Sequence, residues 1–592
     1  MSKSFRQWLS IKRDQNARGI LLIMIVMFNI LLWFISSLLA YVIAPGQYGS
    51  IVKALWESGI TWMLEPGFYD PTVPYAIRIM SIIVILISMI TFTGGIIGYV
   101  GNLFSSIIET AKEGKNKLYL ADHIVMLNWN YKGLELIADY RYDDETTTVV
   151  ILSQHPKEMI EDAISRKLFG RQKQKKLNII VRQGEVFAKS DLMGVCIEQA
   201  KAIIILADEN KDQSTSHTDM LAMKTLMLVS NLNISENQTI LVEVKERKSV
   251  GLINDYIAKN AKRSDQILPL LPDELMGRLI AQTLLMPELN QVYHELLSFE
   301  GAEFYTVPFT DPKTFMETHN KAIPIYTHHD LLYVLSSSKS DIDSLRATPL
   351  SSYIKLEIRD QSRYHDKHIV IFGKNHKLPY ILDSISLYEK ENSTKIHVTM
   401  IESNDAQVIQ ETTDRLEKID HILILSADDL SPDEYDSDVL VTLLMTQELA
   451  KKHHAEIIIE LLDPRHFDIA QSYNVQNTII SNEYISRLMT QLSKNRHLYD
   501  LFIDLLTYDA EDTNTQTYEV YAYQAKHVIR SSLPLSFANP AEAIYSFYRS
   551  GDEDYLLIGI IRDQHLQIFK GNLDEPKRII IEPDDYLIMI CK

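Results

Sequence analysis

Hydrophobic positions in this chain follow two regimes. Between residues 19 and 108 apolar residues run together, and beyond residue 120 they come in short bursts separated by amphipathic stretches. Gly19–Ala44 holds 26 residues without a charge and Ile79–Ile108 holds 30, each longer than the ~20 residues a helix needs to cross a bilayer. Both are also too long for the apolar centre of a signal peptide. The pattern predicts membrane helices over 20–44 and 77–108. Between them, Ile51–Leu64 has the spacing of a short amphipathic helix and runs into the turn Glu65-Pro66-Gly67. A helix, a half-buried helix with a turn, and a second helix make the plan of an ion-conducting pore. Two helices from one chain cannot enclose a water path, so the plan implies self-association.

Beyond the membrane part, β-branched bursts recur at helix-separated intervals. They are His123–Leu127, Thr148–Leu152, Asn178–Val181, Ala202–Leu206 and Ile240–Val244. Near-continuous apolar strands alternating with amphipathic helices such as Tyr131–Tyr140 and Ser216–Val229 predict a parallel sheet covered on both faces. The order then returns. His123–Leu127 is echoed by His368–Phe372, Ile203–Asp208 by Ile422–Asp428, Ile240–Glu243 by Ile457–Glu460, and Gly277–Gln282 by Ser486–Gln491. The spacing between copies shrinks along the chain, as expected if the first copy carries longer connections. The stretches 299–337 and 516–592, one after each copy, are strand-rich with turn signals and no long helical period.

The expected architecture is therefore a membrane α-helical pore followed by two tandem Rossmann-like α/β domains, each with a small β-rich C-lobe. In numbers, a cytoplasmic N-terminus (1–19) precedes a pore domain (20–108) with spans 20–44 and 77–108 and a pore helix and filter over 50–68. A linker (109–120) leads to the first domain (121–350; N-lobe 121–275, C-lobe 276–350). The second domain follows (351–592; N-lobe 366–485, C-lobe 486–592).

Charge fixes the orientation. Lys3, Arg6, Lys12, Arg13 and Arg18 precede the first span, and Lys112, Lys115 and Lys117 follow the second. The connection has Lys53 against Glu57, Glu65 and Asp70, so both termini are expected in the cytoplasm of a cell (inner) membrane protein. The formal net charge of −19 argues against a nucleic-acid partner. It suits attraction of cations, although acidic surfaces also serve solubility alone. Two cysteines, Cys196 and Cys591, fit a reducing compartment.

Candidate chemistry is sparse. The turn after the first strand, Asn128-Trp-Asn-Tyr-Lys-Gly133, keeps only the last glycine of a dinucleotide fingerprint, and Trp129 with Tyr131 crowds it. In the second copy Gly373 keeps the first glycine, and Glu402 stands where a ribose-binding acid would. NAD is not expected at either copy, where the sheet is better read as an interaction scaffold. Asp208, Glu209, Asn210 and Asp212 follow the fourth strand of the first copy and offer oxygen ligands suited to Ca²⁺. They equally suit capping of the next helix. Glu65 is costly in a membrane turn unless it faces water or ions, so Leu64, Glu65, Pro66 and Gly67 are the candidate selectivity filter. The stretch lacks the stacked-carbonyl potassium sequence. Gly94, Gly95 and Gly98 in the second span are the candidate gating hinge, with plain helix packing as the alternative. No nucleophile–base pair or phosphate loop is present, and no enzymatic activity is expected.

Ala207–Ser214, Leu284–Tyr305 and the turn Leu64–Gly67 resemble the CASTOR/POLLUX ion channels over most of the chain. The resemblance implies that the two copies are RCK (regulator of K⁺ conductance) domains. Four chains would then place eight of them in a cytoplasmic gating ring of a homotetramer that touches membrane lipids and passes cations. Calcium binding to that ring, known in the family, points to Asp208, Glu209 and Asp212. With only a pore pair of helices, the chain looks like a minimal, prokaryote-type member. A different class stays open: a membrane-anchored, nucleotide-sensing regulatory subunit or a Rossmann-type redox protein.

Overall fold

A computed structural model describes residues 3–60, 74–95, 97–101, 104–105, 118–142, 146–168, 177–209, 214–259, 265–298, 301–359, 366–392, 394–402, 409, 413, 415–428, 430–473, 475–507 and 518–591. The chain divides into two units, Met1–Asn116 and Lys117–Lys592.

In the first unit, helix α1 (Lys3–Ile43) carries an apolar stretch, Ile23–Ile43, long enough to cross a membrane. A short helix, Ile51–Ala54, is capped by Ser50, whose hydroxyl accepts from Lys53 N at 3.2 Å, and runs on as a π-helical turn over Leu55–Ile60. Trp33 Nε1 donates to the Leu55 carbonyl at 2.9 Å and holds this turn against α1. Helix α2 (Tyr75–Ser88) continues as a second π-turn, Met89–Thr93. Thr91 there donates to Asn29 Oδ1 of α1 at 3.1 Å. The second apolar helix, Tyr75–Thr91, is shorter than a full span. It starts two residues earlier than the pattern predicts, and much of 102–117 lies outside the described residues.

The second unit opens with β1 (Ile124–Leu127), α3 (Tyr131–Asp139), β2 (Thr147–Ser153), α4 (Lys157–Leu168), β3 (Leu177–Gln183) and α5 (Lys189–Gly194). Next come β4 (Ala202–Ile205), α6 (Thr215–Ser230), β5 (Thr239–Glu243), α7 (Arg247–Lys259) and β6 (Ile267–Leu270). The strands form one parallel sheet in the order β3-β2-β1-β4-β5-β6, the doubly wound Rossmann arrangement. Except in the edge strand β3, their side chains are buried on both faces, which is why the sequence shows continuous rather than alternating apolar runs. Helices α8 (Pro272–Leu285) and α9 (Leu289–Leu297) follow. A small antiparallel lobe comes next, with β7 (Glu303–Pro308), α10 (Pro312–Thr318), β8 (Ala322–His328) and β9 (Leu331–Ser336).

The second copy runs β10 (Lys367–Phe372), α11 (Leu378–Asn392), β11 (Ile396–Ile401), β12 (His421–Ile424), α12 (Pro432–His453), β13 (Glu456–Leu461), α13 (Phe467–Ser472), β14 (Asn477–Ile480), α14 (Ser481–Lys494) and α15 (Leu498–Leu505). Its lobe holds β15 (Glu519–Gln524), β16 (Leu535–Phe537), α16 (Pro540–Ser550), β17 (Tyr555–Arg562), β18 (His565–Ile568), β19 (Ile579–Ile581) and β20 (Tyr586–Cys591). The sheet order is β11-β10-β12-β13-β14. Among the described residues, no strand stands for β3, and the spacing between copies falls from 245 residues at β1 to 219 at β4 across that stretch. The further fall to 209 at Gly277 and Ser486 comes after β4, from longer connections in the first copy.

The copies are interlocked. Helix α11 of the second packs on α8 of the first, and α14 of the second packs on α3 of the first. Gly277 makes the first crossing possible, since a Cβ there would lie 2.7 Å from Tyr380 Cβ. Leu136, Leu279, Ile280, Ile381, Leu488 and Met489 from both copies belong to one continuous core. The expected lobe boundaries at 275/276 and 485/486 fall inside α8 and α14. Each helix opens directly after the last sheet strand and is buried on several sides, so the sequence shows no break before it. The region 516–592 also contains a helix, α16, that period alone misses. Six consecutive residues, Ala543 to Tyr548, together with Pro540 and Ala541, are buried around most of its circumference.

Candidate functional site

In an open α/β sheet, ligands bind outside the carboxyl ends of the strands, where the strand order reverses. Here that crevice is closed in both copies by the same device. In the first, Asn130 caps α3 by accepting from Gly133 N at 3.2 Å. Its Nδ2 donates to Glu243 Oε2 at the end of β5 and to the Ala207 carbonyl, both at 3.1 Å. Lys132 Nζ lies 3.0 Å from Glu243 and 2.6 Å from Glu209, and Lys245 Nζ lies 2.9 Å from Glu209. Glu243 is fully buried, and a buried carboxylate is tolerated only with such partners. Burial disfavours charge on Glu209, but Lys132 and Lys245 outweigh it and hold its carboxyl well below the usual range. Trp129 fills the turn, its ring about 3 Å from where a Gly133 Cβ would stand. Tyr131, expected to crowd the same turn, is exposed. What remains between Trp129, His155, Phe187 and Asp208 is about 50 Å³, against the several hundred of a small-molecule pocket.

In the second copy Asn375 Nδ2 donates to Glu460 Oε2 at 3.0 Å, and Tyr435 OH donates to the same oxygen at 2.7 Å. The Ser481 hydroxyl also donates to Glu460. Lys377 Nζ stands 3.2 Å from Glu460 and 3.8 Å from Asp273 of the first copy. Burial works against the Lys377 charge, but Glu460, Asp273 and Asp428 outweigh it and raise its pKa. Gly373 has φ +79°, and a Cβ there would overlap the Leu425 carbonyl oxygen. That glycine serves the close approach of β10 and β12. Glu402 is exposed beside Lys374, 3.9 Å away. The structure does not bring Gly373 and Glu402 together on a common contact.

A second matched device ties each sheet edge to its next helix. Asp219 of α6 accepts from Lys245 N at 2.7 Å and Glu246 N at 3.0 Å. Asp436 of α12 accepts from Leu462 N at 2.8 Å and Asp463 N at 3.0 Å. These residues were missed in the sequence. The available signal was a glutamate closing each apolar run, Ile240-Leu-Val-Glu243 and Ile457-Ile-Ile-Glu460, with Asn-x-Lys after each first strand.

Of the acidic turn, Glu209 is engaged by lysines and the Asp208 carbonyl accepts from the Thr218 hydroxyl at 3.3 Å. Asn210 and Asp212 lie outside the described residues, as do Leu64, Glu65, Pro66 and Gly67. Among the described residues, no group of three or more His, Cys, Asp or Glu side chains is placed to hold a metal ion. In the second helical segment, Gly95 sits at a helix crossing, its missing Cβ 2.9 Å from Ile25 Cδ1, whereas Gly94 and Gly98 face open space.

Comparison with known proteins accords with this geometry. Residues 124–262, the first sheet up to α7, match the family of calcium-activated potassium channel slowpoke-like RCK domains. A POLLUX ion channel of Oryza sativa subsp. japonica is 23% identical over 94% of this chain and 64% of its own length. The ion channel CASTOR of Lotus japonicus is 20% identical over 84% of this chain and 67% of its own. The chain is a homologue of the CASTOR/POLLUX ion channels. It spans about two thirds of the length of these curated relatives. The human SLO3 gating ring aligns with 79% of this chain and 99% of its own, at 13% identity and a TM-score of 0.51, a likeness of fold. The RCK match covers the first sheet, residues 124–262, and the second sheet repeats its fold.

Proposed function

We propose that this chain is the subunit of a homotetrameric cation channel whose two apolar helices and intervening turn line a pore, and whose eight RCK domains form a cytoplasmic gating ring. The observation that carries the reading is the interlocked RCK pair, built on one shared core, in a chain whose first unit supplies a helix of membrane length. The relationship to named ion channels over most of the chain supports it. Both termini are cytoplasmic in this reading, and the protein lies in the cell (inner) membrane and carries out no catalysis. Glu65 places a carboxylate in the filter Leu64–Gly67, where a ring of four would select cations.

Calcium is the proposed ligand of the ring, through Asp208, Glu209 and Asp212. Glu209 would exchange Lys132 and Lys245 for the ion. Lys132 stands at the head of α3, which packs on α14 of the second copy, so that exchange alters the junction between the copies. The linker 109–120 then pulls on the second helix. Such gating requires calcium to bind the open ring more tightly than the closed one.

The test is cation flux from purified protein in liposomes, with and without Ca²⁺, for wild type and Glu65→Gln. Flux that rises with Ca²⁺ and changes its ion preference in the variant is expected. No flux under any condition overturns the pore, and flux indifferent to Ca²⁺ overturns the proposed ligand.

A further inference from the structure

A cleft of about 570 Å³ opens where α9 of the first copy, the β14 edge of the second sheet and strand β18 of the second small lobe meet. This is the volume range of small-molecule sites, and it lies away from the closed carboxyl-edge crevices.

The molecule contains its own control for this cleft. Residues 267–298 and 476–507 correspond one to one, as the matched limits of α8 with α14 and the matched starts of α9 and α15 show. Asn290 and Thr478 of the cleft therefore correspond to Tyr499 and Pro269 on the other side of the pseudo-two-fold axis. There the Tyr499 ring bridges the elements, and its hydroxyl donates to the Pro269 carbonyl at 2.8 Å. In the cleft, Asn290 reaches the Thr478 carbonyl only at 3.5 Å, and its amide oxygen is taken by the Tyr484 hydroxyl at 3.0 Å. The shorter side chain leaves space where the counterpart holds an aromatic ring.

The far wall is also specific to this side. The first small lobe has three strands, β7-β9-β8, whereas the second extends β15-β20-β17 by β18. Leu566 and Ile568 of that added strand give the cleft an apolar wall, and Gln567 between them adds an amide that can donate and accept. At the rim, Lys570 pairs with Glu295 at 2.8 Å. Both side chains are partly exposed, so the pair contributes little and Lys570 is free to exchange its partner.

We propose that this cleft binds a small planar heteroaromatic anion of the nucleoside-monophosphate class. Its ring takes the place that Tyr499 takes on the other side, with an exocyclic amino N–H aimed at the Thr478 carbonyl. The Gln567 amide pairs with the ring edge, and Lys570 turns from Glu295 to the anionic group. An occupant so placed ties α9, the second sheet and the second small lobe together.

The test uses the full chain in detergent and calorimetric titration with adenosine 5′-monophosphate, alongside adenosine and ribose 5-phosphate. Saturable binding of the monophosphate is expected, tighter than either half alone. Asn290→Tyr installs the counterpart's own plug and should weaken it by roughly tenfold or more, a loss of about 1.4 kcal/mol or greater. Lys570→Gln, a rim change that the fold tolerates, should weaken the monophosphate roughly tenfold while leaving adenosine unchanged. Hydrogen exchange should slow in 564–570 on binding. Absence of saturable binding, or binding unchanged in both variants, overturns the proposal. Because binding is read without ion flux, its failure is separate from any failure of the pore.

Discussion

The two copies close the carboxyl edges of their sheets with the same Asn-x-Lys and the same buried glutamate, yet they satisfy that glutamate by different chemistry. The first uses a four-charge cluster in which Lys132 and Lys245 face Glu209 and Glu243. The second has Leu462 where the first has Lys245. It surrounds Glu460 with neutral donors from Asn375, Tyr435 and Ser481 and a single nearby ammonium, Lys377. A cluster of paired charges can be rearranged by an incoming ion, because each member has a second partner. A carboxylate held by fixed neutral donors cannot be rearranged without leaving several of them unmatched. The first edge is thus the more readily rearranged, and the second, through Lys377 and Asp273, also bridges the copies.

The largest expected effect tests that difference. Glu460→Gln removes the near counter-charge of Lys377, leaving Asp273 at 3.8 Å, and should cost about 3–5 kcal/mol, the usual result of stranding a buried charge. Glu243→Gln leaves Lys132 its 2.6 Å partner Glu209 and should cost about 1–2 kcal/mol. Chemical-denaturation midpoints of the two variants measure the gap. Equal losses would break the comparison.

A smaller pair of effects lies at the turns that lead into α3 and α11. Gly373→Ala must place a side chain at φ +79° against the Leu425 carbonyl and should cost about 2–4 kcal/mol from backbone strain and overpacking together. Gly133→Ala meets only the Trp129 ring and Leu206 Cδ1, at 3.1 and 3.2 Å, and should cost about 1 kcal/mol. Thermal midpoints rank them. A Gly133 variant that loses more than the Gly373 variant would mean the Trp129 turn is the more rigid of the two.

Much of the fold was legible because parallel strands buried on both faces write themselves as unbroken β-branched runs, and because the copies repeat those runs in order. The interlock was not legible. The faces of α8 and α14 that bind the other copy are built from small and apolar residues like those that bind their own sheets, and a linear pattern does not say which neighbour covers which face. The site was half legible. Trp129 announced that the first crevice has no room for pyrophosphate. Glu243 and Glu460 were visible as repeat markers, but their role depends on lysines about 80 to 110 residues away that only the strand order brings near.

The smallest change separates the two helix crossings by charge. At the α3–α14 crossing Asp139 is buried and accepts from the Ser486 hydroxyl at 3.0 Å, whereas the matched positions at the α11–α8 crossing are Ser384 and Gly277, without a charge. Burial pushes the Asp139 carboxyl up to about 8 from 3.8, with Arg487 and Ser486 opposing the rise. Between those pH values the folded chain holds one proton more than the unfolded chain. Stability attributable to this group therefore falls as pH rises through that window, and the penalty is complete above about 8. Asp139→Asn keeps a hydrogen-bonding group of the same size and removes the titration. Its denaturation midpoint should decline less steeply than that of wild type between pH 6 and 9, and should overtake it at the alkaline end. Parallel profiles for the two proteins would mean that the acid ionises freely inside the crossing, and that the charge difference between the two crossings has no bearing on how the copies hold together.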